Sequence, residues 1–206
     1  MTLGFIGCGN MASAIISGIL EKEIVKKEEI FASTKSEVSA QKITDALGIS
    51  CSTDNLAVAK KADYLFLCIK PQFCGDVAEE IRDCLPDGQV LISIIAGKNL
   101  DWLQEKFGTD KKIIRTMPNT PALVGEGITG VCPNQFVSPD EIRQVLTLLR
   151  SFGRADVVTE PILDVVGAVS GSSPAFVFLF IEALADGAVA EGMPRKQAYE
   201  FASQAV

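Results

Sequence analysis

The 206-residue sequence has no histidine, a single tryptophan and two tyrosines. Without histidine, no Ser–His, Cys–His or His–Asp proton relay can form within the chain. Six cysteines are present (Cys8, Cys51, Cys68, Cys74, Cys84 and Cys132), but none forms a C-x-x-C pair and there is no histidine to join them. No metal is therefore expected. Runs of Lys or Arg are also missing, the net charge is −7 and aromatic residues are few, all of which argue against nucleic acid as a partner. An anionic ligand must then be held by a local arrangement of donors rather than by the global field. The sequence shows neither a signal-peptide pattern nor an uninterrupted apolar stretch long enough to span a bilayer. A cytoplasmic, reducing setting without a membrane partner is the expectation, with the cysteines serving as small core residues.

What is present is apolar residue in quantity, 48% of the chain, enough to bury a core for one large domain or one domain plus part of another. The most informative stretch is Leu3–Leu20, LGFIGCGNMASAIISGIL. It reads as a short strand (Leu3 to Ile6), a glycine turn (Gly7-Cys8-Gly9) and a helix opening near Asn10. Met11, Ile15 and Ile19 recur at spacing four, as do Ala12, Ile16 and Leu20, so one helix face can lie on a sheet. Gly7-x-Gly9-x-x-Ala12 is the G-x-G-x-x-A form of the dinucleotide fingerprint. In that reading Gly7 permits the turn, Gly9 lets a pyrophosphate approach bare backbone, and Ala12 keeps helix and strand close. The free N–H groups and positive end of the helix face the phosphates.

A second strand is expected over Glu28–Ala32, followed by Ser33-Thr34-Lys35-Ser36. NAD-binding domains place an acid about twenty residues past the glycines to hold the adenosine ribose. Here hydroxyls and a cation stand instead, which suit a 2′-phosphate, so Ser33, Thr34 and Lys35 predict NADPH, with NADH binding more weakly. A helix over Ser39–Leu47 stopped by Gly48, a brief strand Ile49–Cys51 and a short helix through Lys61, capped by Asp54 or Asn55, come next. Asn55 reads either as that cap or as a cofactor contact.

Tyr64–Ile69 and Val90–Ile95 are continuous apolar runs, as in parallel strands covered on both faces. Ligands of open α/β sheets lie at the carboxyl ends of strands, which singles out Cys68, Ile69, Lys70 and Pro71 after the first run and Ile94, Ile95 and Ala96 at the end of the second. Lys70 reads equally as a solvated strand-end lysine. Lys112–Thr116 makes a further strand entering Met117-Pro118-Asn119-Thr120-Pro121, a loop made rigid by its prolines. Asn119 is held there either for a ligand or for an Asx turn. Gly127–Val131 and Ala155–Val158 read as late strands flanking a helix from Pro139 to Phe152. The alternation predicts an α/β fold with a doubly wound parallel sheet, the Rossmann type, over residues 1–160.

From residue 161 to 206 only helix signals remain: Ile162–Val169, then Gly171-Ser172-Ser173-Pro174, then Ala175–Met193, and one more helix begun by Pro194. Ala175–Ile181 is apolar on nearly every side, which a lone surface helix cannot be. Seven such residues are too few to span a membrane, so a second subunit or further chain must cover them, and the chain reads as incomplete. Glu182 and Asp186 share a face that reads as a solvated stripe.

Taken together, FIGCGNMASAI (5–15), ASTKS (32–36), CIKPQ (68–72), SIIAG (93–97), RTMPNTPALVGEG (115–127) and VSGSSPAFVFLFIEALADGAVAEGMPR (169–195) resemble the pyrroline-5-carboxylate reductase family along the whole chain. The resemblance implies an N-terminal NADP-binding domain, a C-terminal all-helical domain that interlocks with a second subunit into a homodimer or higher oligomer, and NADPH-dependent reduction of a cyclic imino acid, Δ1-pyrroline-5-carboxylate, to L-proline. By position it implies cofactor contacts at Ile6, Gly7, Cys8, Gly9, Asn10, Met11, Ser33, Thr34, Asn55, Cys68, Ile69, Lys70, Pro71, Ile94, Ile95 and Ala96. Lys35 is added on chemical grounds. Met117, Asn119 and Thr120 are expected to line the nicotinamide and substrate end. Two departures stand out. The family's usual Ser-Gly-Ser-Gly-Pro-Ala-Tyr is Ser170-Gly171-Ser172-Ser173-Pro174-Ala175-Phe176 here, and the segment that binds the substrate's carboxylate in the family has no counterpart in these residues. A β-hydroxyacid dehydrogenase shares the layout but needs a lysine on its first long C-terminal helix, and Gly171–Gly192 contains none. The remaining alternative is a cofactor-binding module without catalysis.

Overall fold

The computed structural model describes residues 1–206. Eight strands form one sheet: β1 (Leu3–Ile6), β2 (Ile30–Ser33), β3 (Ser50–Ser52), β4 (Tyr64–Leu67), β5 (Val90–Ser93), β6 (Lys112–Met117), β7 (Gly127–Pro133) and β8 (Gly153–Val157), in the order β3-β2-β1-β4-β5-β6-β7-β8. The strands before β6 alternate with helices α1 (Asn10–Glu21), α2 (Glu37–Leu47), α3 (Asn55–Lys61), α4 (Cys74–Ile81) and α5 (Leu100–Phe107). Then come α6 (Pro139–Leu149), α7 (Glu160–Val166), α8 (Ser173–Ala190) and α9 (Arg195–Ala205).

The central strands β1, β4 and β5 are buried along their whole length because both sheet faces are covered there. Leu3, Phe5, Phe66, Val90, Ile92 and Ile114 point to one side, where Ile15, Ile16 and Ile19 of α1 and Leu148 and Leu149 of α6 meet them. Phe5 and Phe66 stack there with centroids 4.6 Å apart. Ile6, Leu65, Leu67, Leu91 and Ile113 point to the other side, against α3, α4 and α5. The period-two alternation thus divides one sheet between two cores.

The sheet is not parallel throughout. β1 to β6 are parallel, but β7 pairs antiparallel with β6, Met117 opposite Gly130, and β8 runs parallel to β7. Between Met117 and Gly127 the chain has room only for a short 3-10 turn, Thr120–Val124. A parallel crossover needs about a dozen residues or more, so the chain must reverse. Other boundaries shift locally. β2 begins at Ile30 because Lys27–Glu29 form a 3-10 turn, while β4 and β5 end at Leu67 and Ser93 rather than at Ile69 and Ile95. Helix α5 was not foreseen, although Asn99 caps it by accepting from the Trp102 N–H and Gly108 follows it.

The larger difference lies in the C-terminal helices. Gly171-Ser172-Ser173-Pro174 does not separate two helices: a π-helical turn, Gly167–Gly171, joins α7 to α8 in one run from Glu160 to Ala190. Pro174 lies near the start of α8, and the Ser170 carbonyl four residues before it accepts from Asn119 Nδ2 instead, so the missing N–H leaves that carbonyl paired and the run continues. That run of 31 residues is long and apolar enough to cross a membrane, so a count of seven residues does not decide the matter. Phe176, Phe178, Leu179 and Phe180 are each more than half exposed. The arm's own core is small: Ala185, Ala198 and Ala202 hold α8 against α9.

Candidate active site: a dinucleotide cleft

The sheet order reverses between β1 and β4, and a crevice opens at their carboxyl ends. Three strand ends are tied together there. The N–H groups of Gly7 and Cys8 donate to the Ser33 carbonyl at 3.1 and 2.9 Å, and the Cys68 N–H donates to the Ile6 carbonyl at 2.8 Å. Gly7 has φ +87°, and a Cβ on it would meet Ile69 Cγ2 at 2.7 Å and the Cys68 carbonyl oxygen at 2.8 Å. Only glycine satisfies both demands.

Gly9 differs. A Cβ there would meet nothing within 4 Å, so no part of this chain requires glycine at that position. The backbone beyond it is equally open. Helices α2, α3, α5 and α6 have their first N–H groups bonded by Ser36, Asp54, Asn99 and Ser138. Helix α1 has Gly9 at that place, no side-chain bond and no acid in its first turn. Its leading amides are left facing the crevice beside exposed Asn10 and half-buried Met11.

At the ribose end the residues divide. Ser33 is fully buried, and its Oγ donates to Asn55 Oδ1 at 2.7 Å. Its hydroxyl proton is engaged inside the protein rather than open to the groove. Thr34 is half-buried and Lys35 exposed, with Lys35 Nζ 5.0 Å above the ring of Phe73, which follows Pro71. The ammonium therefore reaches from the end of β2 to the far wall of the crevice. Asp54, not Asn55, caps α3, accepting from the Ala57 N–H at 2.9 Å. Asn55 is free for its bonds to Ser33 and to Glu80.

Along that wall Lys70, Pro71 and Ala96 are exposed, and Cys68, Ile69 and Ile94 half-buried. Ile6 and Ile95 turn their side chains into the core and bring only backbone to the edge. Burial pushes the Cys8 thiol up to about 11 and raises Cys68 well above the ordinary thiol range. Both stay protonated at neutral pH, so no thiolate stands where an anion would bind.

At the other end, Thr116 Oγ1 donates to the Ser93 carbonyl at 3.0 Å and draws the end of β6 against β5. Met117 lies against the π turn, with Cε 3.5 Å from the position of a Cβ on Gly167. Asn119 makes no Asx turn. Its Oδ1 accepts from the Ile128 N–H at 2.8 Å and its Nδ2 donates to the Ser170 carbonyl at 3.1 Å, so it is a strut between the loop, β7 and the helical arm. Thr120 is exposed at the start of its 3-10 turn. Three groups escaped the sequence reading. Glu80 and Phe73 carry no local pattern that marks them. Arg115, a charge in the buried middle of β6, does. A separate concavity lined by Asp63, Tyr64, Gln89 and Glu141 opens toward the amino ends of β4 and β5, the wrong edge for a ligand of this kind of sheet.

This fold and cleft define a dinucleotide-binding oxidoreductase. Residues 2–97 match a family model described as NADP oxidoreductase coenzyme F420-dependent, and residues 160–206 match one described as pyrroline-5-carboxylate reductase dimerisation. The chain is 47% identical over 204 residues to the pyrroline-5-carboxylate reductase of Escherichia coli, covering 99% of this chain and 76% of that protein. It is 38% identical to the same-named protein of Methanosarcina acetivorans, with equal coverage. Among solved structures it superposes with a TM-score of 0.90 on Plasmodium falciparum pyrroline carboxylate reductase with NADP bound, at 34% identity, covering 100% of this chain and 75% of that one. Prephenate dehydrogenase of Aquifex aeolicus, at 14% identity and a TM-score of 0.68, shares the fold alone. The chain belongs to the pyrroline-5-carboxylate reductase family.

Proposed function

We propose that this chain reduces the cyclic imine Δ1-pyrroline-5-carboxylate to L-proline with NADPH, the last step of proline synthesis, working in the cytoplasm as a homodimer. The carrying observation is 47% identity along 204 residues to a protein of that name, including the dimerisation residues. The cleft fits the cofactor on its own evidence: an open glycine and an uncapped helix face the crevice, and no acid stands at the end of β2.

In this reading residues 1–160 form the cofactor domain and 161–206 the start of the dimerisation and substrate domain. Ile6 to Met11 cradle the pyrophosphate with backbone amides. Thr34 and Lys35, backed by Ser33 and Asn55, receive the 2′-phosphate. Cys68 to Pro71 and Ile94 to Ala96 form the far wall, and Met117, Asn119 and Thr120 border the nicotinamide. A bound reduced nicotinamide supplies a hydride to the imine carbon. The chain orients both partners and excludes water. Having no histidine, it leaves protonation of the imine nitrogen to solvent. A second copy, not lipid, covers the apolar face of α8.

Incubation with NADPH and Δ1-pyrroline-5-carboxylate, followed by nicotinamide absorbance and chiral detection of proline, tests the reading. Stoichiometric L-proline supports it. NADPH bound without turnover reduces the chain to a cofactor-binding module, and turnover of a 3-hydroxy acid with NAD in its place overturns the assignment.

A further inference from the structure

Ser33, Asn55 and Glu80 form a hydrogen-bonded chain beside the ribose end of the cleft. Ser33 Oγ lies 2.7 Å from Asn55 Oδ1, and Asn55 Nδ2 lies 2.8 Å from Glu80 Oε2 on α4. The direction of both bonds is set by the last member. An ionised carboxylate only accepts hydrogen bonds, whereas a hydroxyl or an amide can serve either way. Glu80 therefore draws the amide nitrogen of Asn55 toward itself. The amide oxygen must then face Ser33, and the buried Ser33 hydroxyl must donate to it. An exposed acid thus fixes the orientation of a half-buried amide.

We propose that Glu80 is a positioning residue for the choice between phosphorylated and unphosphorylated dinucleotides, a step that rests on the cofactor reading above. It keeps the Asn55 oxygen turned onto Ser33, so a ribose 2′-phosphate meets no acceptor oxygen from that amide. Without Glu80 the amide can reverse, with Nδ2 facing Ser33 and the oxygen in the solvent-open place where the nitrogen stood. A ribose 2′-hydroxyl can donate to that oxygen, but a phosphate dianion is repelled by it. Coulomb's law alone makes the opposite prediction: deleting an acid near an anion tightens its binding.

Titration of NADPH and NADH against the full chain, read by nucleotide fluorescence, separates these effects. Glu80→Ala should raise the ratio of the NADPH to the NADH dissociation constant about tenfold, the scale of one hydrogen bond to a charged group. Glu80→Gln keeps a partner for Asn55 but can donate as well as accept, so it no longer fixes the amide and should raise the ratio part of the way, to between wild type and Glu80→Ala. Glu79→Ala removes the same charge from the same helix and should leave the ratio level or lower it. The proposal falls if Glu80→Ala and Glu79→Ala move the ratio alike, or if Glu80→Gln leaves it level or lowers it, as loss of the charge alone would. Wild-type chain that binds neither nucleotide overturns the cofactor reading, and the role of Glu80 with it.

Discussion

Removing Glu160 should destabilise the protein more than removing Arg115, although the two form one ion pair. Arg115 rises from β6 with its side chain 3% exposed, and its guanidinium reaches Glu160 at 3.1 Å and Asp164 at 2.7 Å, both on α7. Glu160 also accepts the Leu100 N–H at 2.7 Å, so one carboxylate ties β6, α5 and the helical arm together. Asp164 is 69% exposed, and pairs so open to water contribute about 0–1 kcal/mol. Glu160→Ala leaves a buried guanidinium with one weak partner, an Nε that already has none, and an unanswered amide at the start of α5. Breaking a fully buried pair costs about 3–5 kcal/mol. Because Glu160 is itself 29% exposed, we expect about 2–3 kcal/mol for Glu160→Ala. Arg115→Met retains much of the packed stem and leaves Glu160 bonded to Leu100 and within reach of water, for about 1 kcal/mol. The double replacement strands no charge, so it should be no worse than Glu160→Ala alone. Urea unfolding of the four forms, at matched slopes, completes the cycle. The reasoning is refuted if Arg115→Met is as damaging as Glu160→Ala, or if the two losses simply add.

The two glycines of the first turn should separate folding from binding. Gly9→Ala is expected to keep the wild-type thermal midpoint while weakening NADPH about tenfold or more, since its Cβ meets only the cleft. Gly7→Ala, forced to hold φ +87° against Ile69, should lose about 1–3 kcal/mol of stability. Unchanged NADPH affinity in Gly9→Ala would mean that nothing approaches that backbone. Burial raises the Cys8 and Cys74 thiols from 9.0 to about 11. The unfolded chain then loses these protons first, so this contribution is complete below pH 9 and declines as pH climbs toward about 11. Cys74→Ala should flatten that alkaline decline in unfolding midpoint, and an unchanged slope would contradict the burial argument. Phe178→Glu, at a position 66% exposed on α8, should halve the mass measured by light scattering. Assembly that persists in this variant would deny that a second copy covers that face.

The parts of the cleft that could be read in advance are those whose reasons are local. Gly7 and the apolar runs before and after it announce a strand, turn and helix without reference to any distant residue. Asn119 shows the limit of such reading. A short polar group between prolines at a strand end reads as an Asx turn or a ligand contact, and nothing local shows that both ends of its amide also brace backbone, at Ile128 and Ser170, that only the folded chain brings near. Ser33 is similar: its type suits a phosphate, but its burial and its bond to Asn55 depend on β3 and α3 lying alongside. Glu80 sits on a later helix, and nothing in its neighbours on the chain foretells its contact with the ribose end. The segment Gly171-Ser172-Ser173-Pro174 misleads in the other direction, since it reads as a break between two helices that a π turn in fact joins.

The order of residues alone determined the alternation of strands and helices, the glycine turn, the two-sided burial of the sheet and the presence of an apolar helix in need of cover. Each follows from turn sterics or from a hydrophobic period that a dozen neighbours express. Folding in three dimensions decided the reversal of β7, the fusion of α7 and α8 through a π turn, and the assignment of polar side chains to struts or to the open cleft. These depend on which distant groups compete for the same hydrogen bonds, and such competition exists only once the strands have paired.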